Sequence, residues 1–446
     1  MKLYLLSSLA VAGTVSAQSL TVPSNWRKPT VTQTRAERIQ IAQSAINLFN
    51  SYYDTTTGRY NFSSAFTQDL AIDDTFIDHN DTIDWARHGA SGLRYTVMHD
   101  LISNTTVYEN FTTGALQRAI DTNKRTLFGA PMDSLMTETF EQFGLAATAA
   151  FTAYGNQDML ALAKTVQSII DEYISTSQGA GYPGASVALQ KCATTGLGGT
   201  IFPYLSGKPS PTSHLQQYGW IQSTDWTAYL ALSSYVAQAS GDSNVFGEAT
   251  RMYEVLSTGV PNLVRTNDSF PHHIYVYNAT AAAKSDVASP LRTDADHTFA
   301  NCQGYDAESP SGGSLVQAYS VYGRLSSSPS VQQRLIQVVE SSTSYGNSED
   351  GILLDNRPPY LLGRGGHLAG FVDPLLETTN NDLRSYIQAY ANVQFNALQD
   401  FAKNPTEGSY SQVWVEHDGD FGQFFDPYYQ LEVIPALNLA IGLNDA

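Results

Sequence analysis

The chain has 446 residues, 42% of them hydrophobic and 11% aromatic, enough apolar material for one large core or two to three smaller ones. Asp and Glu number 42 against 24 Lys and Arg, a formal charge of −18, and no basic cluster interrupts that balance. Such a surface repels phosphate backbones, which argues against nucleic acid as a partner and against strongly anionic polymers as substrates.

Residues 1–17 join Lys2 to an apolar run and a small Ser16-Ala17 exit, the pattern of a secretory signal peptide too short to span a membrane. A secreted monomer with no membrane insertion is therefore expected. Asn61, Asn80, Asn104, Asn110, Asn267 and Asn278 each begin an Asn-x-Ser/Thr glycosylation sequon, which fits that route. Cys192 and Cys302 are the only cysteines; an oxidising route predicts one disulfide closing a long loop, with two free thiols as the alternative. No Cys/His spacing suits zinc, and neither a metal nor a cofactor is expected.

A Pro/Ser/Thr lead occupies 18–34 and a helix follows over 35–52. Helices are predicted at 84–102 and 108–127. Residues 138–154 are apolar or small on nearly every face, the mark of a helix buried all round. Gly155-Asn156 ends it, because these residues tolerate the left-handed conformation. Residues 159–173 are one-sided, with Leu160, Ala163, Val166, Ile169 and Ile170 three or four apart. The same apolar-then-amphipathic pairing recurs at 225–239 and 245–256, at 314–325 and 329–342, and at 367–376 and 383–402. A helix at 427–441, kinked at Pro435, closes the chain.

Six inner-type helices thus alternate with six outer-type ones. Turns from inner to outer are tight. Connections from outer to the next inner are mostly long, at 54–83, 128–137, 176–224, 260–313, 345–366 and 403–426, and long loops on a rigid scaffold tend to carry function. We expect an all-α fold, a closed (α/α)6 toroid forming a single catalytic domain over 35–446. A plain helical solenoid is the rival.

In a toroid the inner-helix starts face one mouth. Asp84, Trp85, Arg87, His88, Glu138, Glu141, Asp225, Trp226, Glu308, His367 and Asp426 all lie at such starts. Carboxylates among aromatics suit sugar chemistry, in which one carboxyl protonates the leaving oxygen and another attacks or activates water. Glu138 and Glu141, three apart on one helix face, are the first candidates for that pair, with Asp225 or Asp84 as alternative partners. Trp85, Trp226 and Trp414 are candidate stacking platforms; Arg87, His88 and His367 are further substrate contacts. The plainer reading of Glu138 and Asp225 is that they answer helix dipoles or cap helices, with Thr137 a candidate cap. The acidic loop Asp73, Asp74, Asp78, Asp81 and Asp84 could hold Ca2+, but it lacks the glycine punctuation of a calcium loop and reads as a solvated loop.

Several segments, in order, resemble glycoside hydrolase family 76, the endo-α-1,6-mannanases among the six-hairpin glycosidases. They are Tyr52-Tyr53-Asp54 through Gly58-Arg59-Tyr60, and Gly198-Gly199-Thr200-Ile201-Phe202, with Phe202 where a Trp is usual. Asp350-Gly351-Ile352-Leu353 and His367-Leu368-Ala369-Gly370-Phe371 complete the set. The resemblance implies a toroid and a mannan-like polysaccharide or oligosaccharide substrate. It also implies two adjacent aspartates heading the second inner helix, and counting back from Gly155 those places hold Glu138 and Thr139. The expected function is a secreted, retaining glycosidase with Glu138 as its principal carboxyl. A polysaccharide lyase using Arg87-His88 or Arg364 with His367, and a catalytically inactive carbohydrate-binding relative, are the alternatives.

Overall fold

The computed structural model describes residues 20–61, 82–132, 135–171, 219–221, 223–259, 272–276, 304–306, 309–344, 348, 350–354, 363–404, 408–411, 413–415 and 427–443. The leader at 1–17, both cysteines, Asn80, Asn267, Asn278, Glu308, Asp426 and the 198–202 segment lie outside them, as do the side chains of Asp84 and Trp85.

Six helices form the inner ring: α2 (Thr82–Ser103), α4 (Thr137–Tyr154), α6 (Ser223–Ser240), α8 (Ser309–Ser326), α10 (Gly363–Ala369) and α13 (Pro427–Ile441). Each packs on the next, and α13 returns to α2, so the ring closes and the solenoid is ruled out. The cause is visible in α13, where every residue from Pro427 to Ile441 is buried and no polar face is left to meet solvent. Outside the ring lie α1 (Arg35–Asn50), α3 (Glu109–Ala119), α5 (Gln157–Asp171), α7 (Ser243–Glu254), α9 (Pro329–Ser344) and α12 (Asn381–Ala397). Helix α5 buries Met159, Leu160, Ala163, Val166, Ile169 and Ile170 and leaves Lys164 exposed, as its spacing predicts. Thr34 and Glu37 cap α1 reciprocally, each side chain accepting from the other's backbone N–H. Gly155, at φ 70°, ends α4 in the left-handed conformation. Pro435 lies inside α13, where it leaves the Leu431 carbonyl without its intrahelical donor.

Three departures from the expected pattern have local causes. The helix expected over 108–127 stops at Ala119 and gives way to a three-stranded sheet, β3 (Ile120–Asp121), β4 (Thr126–Leu127) and β5 (Ala130–Pro131), which follows the hairpin β1 (Tyr53–Asp54) and β2 (Arg59–Tyr60). The Asp121 carboxylate accepts the N–H groups of Asn123 and Lys124, drawing the backbone into a turn instead of a further helical turn. The helix expected from His367 begins four residues earlier and breaks at Gly370-Phe371, after which α11 (Val372–Glu377) resumes. Pro374 has no N–H to offer the Gly370 carbonyl. A side chain on Gly370 would also sit 1.9 Å from the Gly313 carbonyl oxygen, so α8 crosses this break at backbone contact. Finally, β6 (Gly219–Ile221), β7 (His272–Val276) and β8 (Gly304–Asp306) form an antiparallel sheet with β7 central, placing His272 and His273 in a strand. β6 and β8 lead directly into α6 and α8, so this sheet ties two inner-helix starts together at one end of the toroid.

The described part of the lead packs on the outside of the ring. Trp26 lies between Tyr386 and Tyr390 of α12 at centroid distances of 5.2 and 5.6 Å. Arg27 and Lys28 both pair with Asp400. No helix among the described residues is long and apolar enough to cross a membrane.

Candidate active site

The inner helices run parallel. Near their starts Arg87 of α2 pairs with Glu138 of α4, and halfway along them Arg94 of α2 reaches Gln142 of α4 and Gln317 of α8. Their N-terminal turns therefore share one end, and that end gathers charge. The Arg87 Nη2 stands 2.8 Å from the Glu138 Oε2, with the two side chains 14% and 9% exposed. Glu138 is the second residue of α4; the N-cap is Met136, which makes no side-chain cap, so Thr137 is a helical residue and not the cap.

Glu141 lies one turn below Glu138 and is fully buried. Neither of its carboxylate oxygens has a hydrogen-bond partner among the described residues. Asp225, the third residue of α6, is in the same condition, which removes the capping explanation for it. Burial pushes the Glu141 carboxyl well above the usual carboxylate range, and the charges of Asp225 and then Glu138 push it further. Burial likewise raises Asp225 well above that range, with the Glu138 charge adding to it and the Arg87 guanidinium opposing it. The four groups thus form one electrostatic unit, with an Arg-paired carboxylate at its rim and two proton-holding carboxyls beneath. Glu141 and Asp225 can thus keep their protons at a pH where ordinary carboxyls are ionised, which a general acid needs.

The rest of the mouth is built on α10 and α13. Arg364 gives Nε and Nη2 to the Glu432 Oε2, at 3.2 and 3.0 Å, and its guanidinium lies 4.4 Å from the centroid of Trp414. His88 packs on Tyr428, ring centroids 4.3 Å apart, and His367 Nε2 lies 3.4 Å from the Tyr390 hydroxyl. Burial drives the Tyr95 phenol up to about 12; Arg94 opposes the rise, while Glu138 and Glu432 add to it, so both carboxylates act on one central ring.

Of the sequence-derived candidates whose side chains are described, Arg87, Glu138, Glu141 and Asp225 converge on α2, α4 and α6. Four expected substrate contacts need correction. His88 is fully buried against Tyr428, and His367, the fifth residue of α10 and 1% exposed, packs on Phe371 and on Tyr390 of the outer helix α12, so neither is accessible to a substrate. Trp226 and Trp414 are 1% and 2% exposed, so neither presents a ring face for a sugar to stack on. Trp226, the fourth residue of α6, packs into the core, and Trp414 is covered by Arg364. Glu432, Tyr428 and Tyr95 are additions from the structure. Glu432 had a signal, since it is the only charged residue of a largely apolar inner helix.

Solved structures bear out the likeness of fold to family 76. An inactive variant of the α-1,6-mannanase of a Salegentibacter species, in complex with α-1,6-mannotriose, superimposes with a TM-score of 0.62, over 91% of this chain and 99% of that one, at 11% identity. The family 76 α-mannanase of Bacteroides thetaiotaomicron gives 0.60, over 92% and 96%, also at 11% identity. Dfg5 of Chaetomium thermophilum, in complex with glucosamine, gives 0.65 over 92% of each chain at 11% identity. No family model and no curated protein sequence matches the chain.

Proposed function

We propose that this protein is a secreted glycoside hydrolase of the family 76 type, acting on a neutral α-mannan-like glycan. The observation that carries the reading is the Glu138, Glu141, Asp225 and Arg87 unit at the N-terminal end of the inner ring. Buried carboxyls without partners lower stability, and such groups are retained where they do chemistry. Glu138 is the reacting carboxylate, because it is the least buried of the three carboxyls and Arg87 orients it. Asp225 is the proton donor to the leaving oxygen, its acid form favoured by burial and by the Glu138 charge. Glu141 beneath them acts through Glu138 and Asp225. Retention of configuration, the outcome expected from the sequence, requires two of these carboxyls to stand about 5–5.5 Å apart.

The lyase reading is disfavoured by two pairings. A lyase needs cations available to neutralise a uronate, yet Arg87 is held by Glu138 and Arg364 by Glu432. Residues 1–17 support export as the first step of the chain's route. Asn61, Asn104 and Asn110 are exposed, as glycan acceptors must be, and treatment with an endoglycosidase should lower the apparent mass of the secreted protein.

The test is reducing-sugar release by the purified protein from α-1,6-mannan, α-glucans, β-glucans and a uronan, with the anomer of the first product read by NMR. Release from the mannan with the anomer retained is expected. Absence of release from every polymer, with glycan binding intact, overturns the hydrolase in favour of a binding protein.

A further inference from the structure

At the opposite end of the toroid, where the inner helices finish, lies a cavity of about 460 Å³ between α2, α4, α6, α8 and α11. That volume is within the range of small-molecule sites. Its walls include Met98, Leu101, Leu145, Ala149, Phe151 and Leu376. The polar end is made by two arginines whose situations differ. Arg324 gives Nη1 and Nη2 to the two oxygens of Asp373, at 2.5 and 2.9 Å, and so has its own counter-charge. Asp373 is further occupied by the hydroxyls of Ser320 and Tyr235, at 2.6 and 2.7 Å.

Arg94, only 3% exposed, has no carboxylate partner among the described residues. Its guanidinium is fixed by two neutral amides, Nη1 on the Gln142 Oε1 and Nη2 on the Gln317 Oε1, at 2.5 and 2.7 Å. Gln317 is oriented in turn by its donation to the Tyr235 hydroxyl. This is a buried cation held in place and left without an anion, at the polar end of a cavity with largely apolar walls. A buried charge is stable when paired, and an arginine fork matches a carboxylate in geometry.

We propose that this cavity binds a small amphiphilic monocarboxylate, with its head group on Arg94 and its hydrocarbon body along Leu145, Ala149 and Phe151. A single negative charge is specified because one guanidinium is uncompensated, while Asp373 and Glu377 on the same cavity repel a second. The site is separate from the carboxylate cluster and does not depend on the glycan chemistry proposed there.

The test is isothermal titration of the full secreted protein with octanoate, octanol and inorganic phosphate at constant ionic strength. The expected result is saturable one-site binding of octanoate, at least about tenfold tighter than octanol, and no phosphate binding. Arg94→Gln should abolish the preference for octanoate over octanol. Ala149→Trp, which fills the cavity from its apolar wall, should abolish both, with circular dichroism confirming a folded chain. The proposal is overturned if octanoate fails to saturate the wild-type protein, if octanol binds equally well, or if folded Ala149→Trp still binds octanoate.

Discussion

Glu138 and Asp225 both stand within the first helical turn of an inner helix, but their neighbours differ. Glu138 faces Arg87; Asp225 faces no donor among the described residues and carries the burden of burial. Glu138→Gln keeps the shape and removes the charge, so hydrolysis should fall by roughly 10²–10⁴-fold with little change in glycan affinity, measured as kcat and KM on mannan. Asp225 also sets a pH signature. Its folded carboxyl holds the proton more tightly than the unfolded chain does, so its contribution is fully present below the ordinary value of 3.8 and is lost as pH rises through the raised folded value. The wild-type protein should therefore lose thermal stability from pH 4 to pH 8. Asp225→Asn should be more stable than wild type at pH 8, by about 1–3 kcal/mol, and nearly neutral at pH 4. A melting midpoint independent of pH in both proteins would remove Asp225 from the role of proton donor.

Between elements, close approach decides more than propensity. Gly313 on α8 meets the backbone of His367, and a side chain there would lie 2.1 Å from the His367 oxygen. Backbone cannot move aside as a side chain can, so Gly313→Ala should cost about 1–3 kcal/mol in urea unfolding and disturb the α10 end of the mouth. Gly247 on α7 has nothing within 4 Å, and Gly247→Ala should stabilise by about 0.5–1 kcal/mol through helix propensity alone. The pair separates packing from propensity in one experiment. The same contrast accounts for the misplaced helix boundaries. The end of α3 was set by the Asp121 turn and the break after α10 by Gly370 and Pro374, features that hydrophobic spacing does not register.

Across the whole molecule, stability depends on closure of the ring and on the segments that fasten its outside. Arg38 of α1 reaches the Leu443 carbonyl just beyond α13 at 3.0 Å, joining the beginning of the toroid to its end. Trp26 does similar work for the lead, packed on Tyr386 and Tyr390 and in contact with the position of Gly351. Trp26→Ala should cost about 3–5 kcal/mol, a typical loss for a buried tryptophan, and the urea midpoint would show it. A change below 1 kcal/mol would mean that the lead is not fastened in solution.

The sequence by itself determined the sixfold alternation of inner and outer helices, because burial writes itself into apolar periodicity, and a helix such as α13, buried on every side, has nowhere to go but inside. It also marked Glu138, Glu141 and Asp225, since acids at the starts of apolar helices stand out against their surroundings. What only the tertiary structure decided is which charges meet. Arg87 chooses Glu138, Arg364 chooses Glu432, and Arg94 is left with two amides. Each of those pairings joins residues 48 to 223 positions apart in the chain, and Arg94 comes to line a cavity that five helices enclose together. Spacing along one helix reports which face a residue occupies; only ring closure brings the faces together.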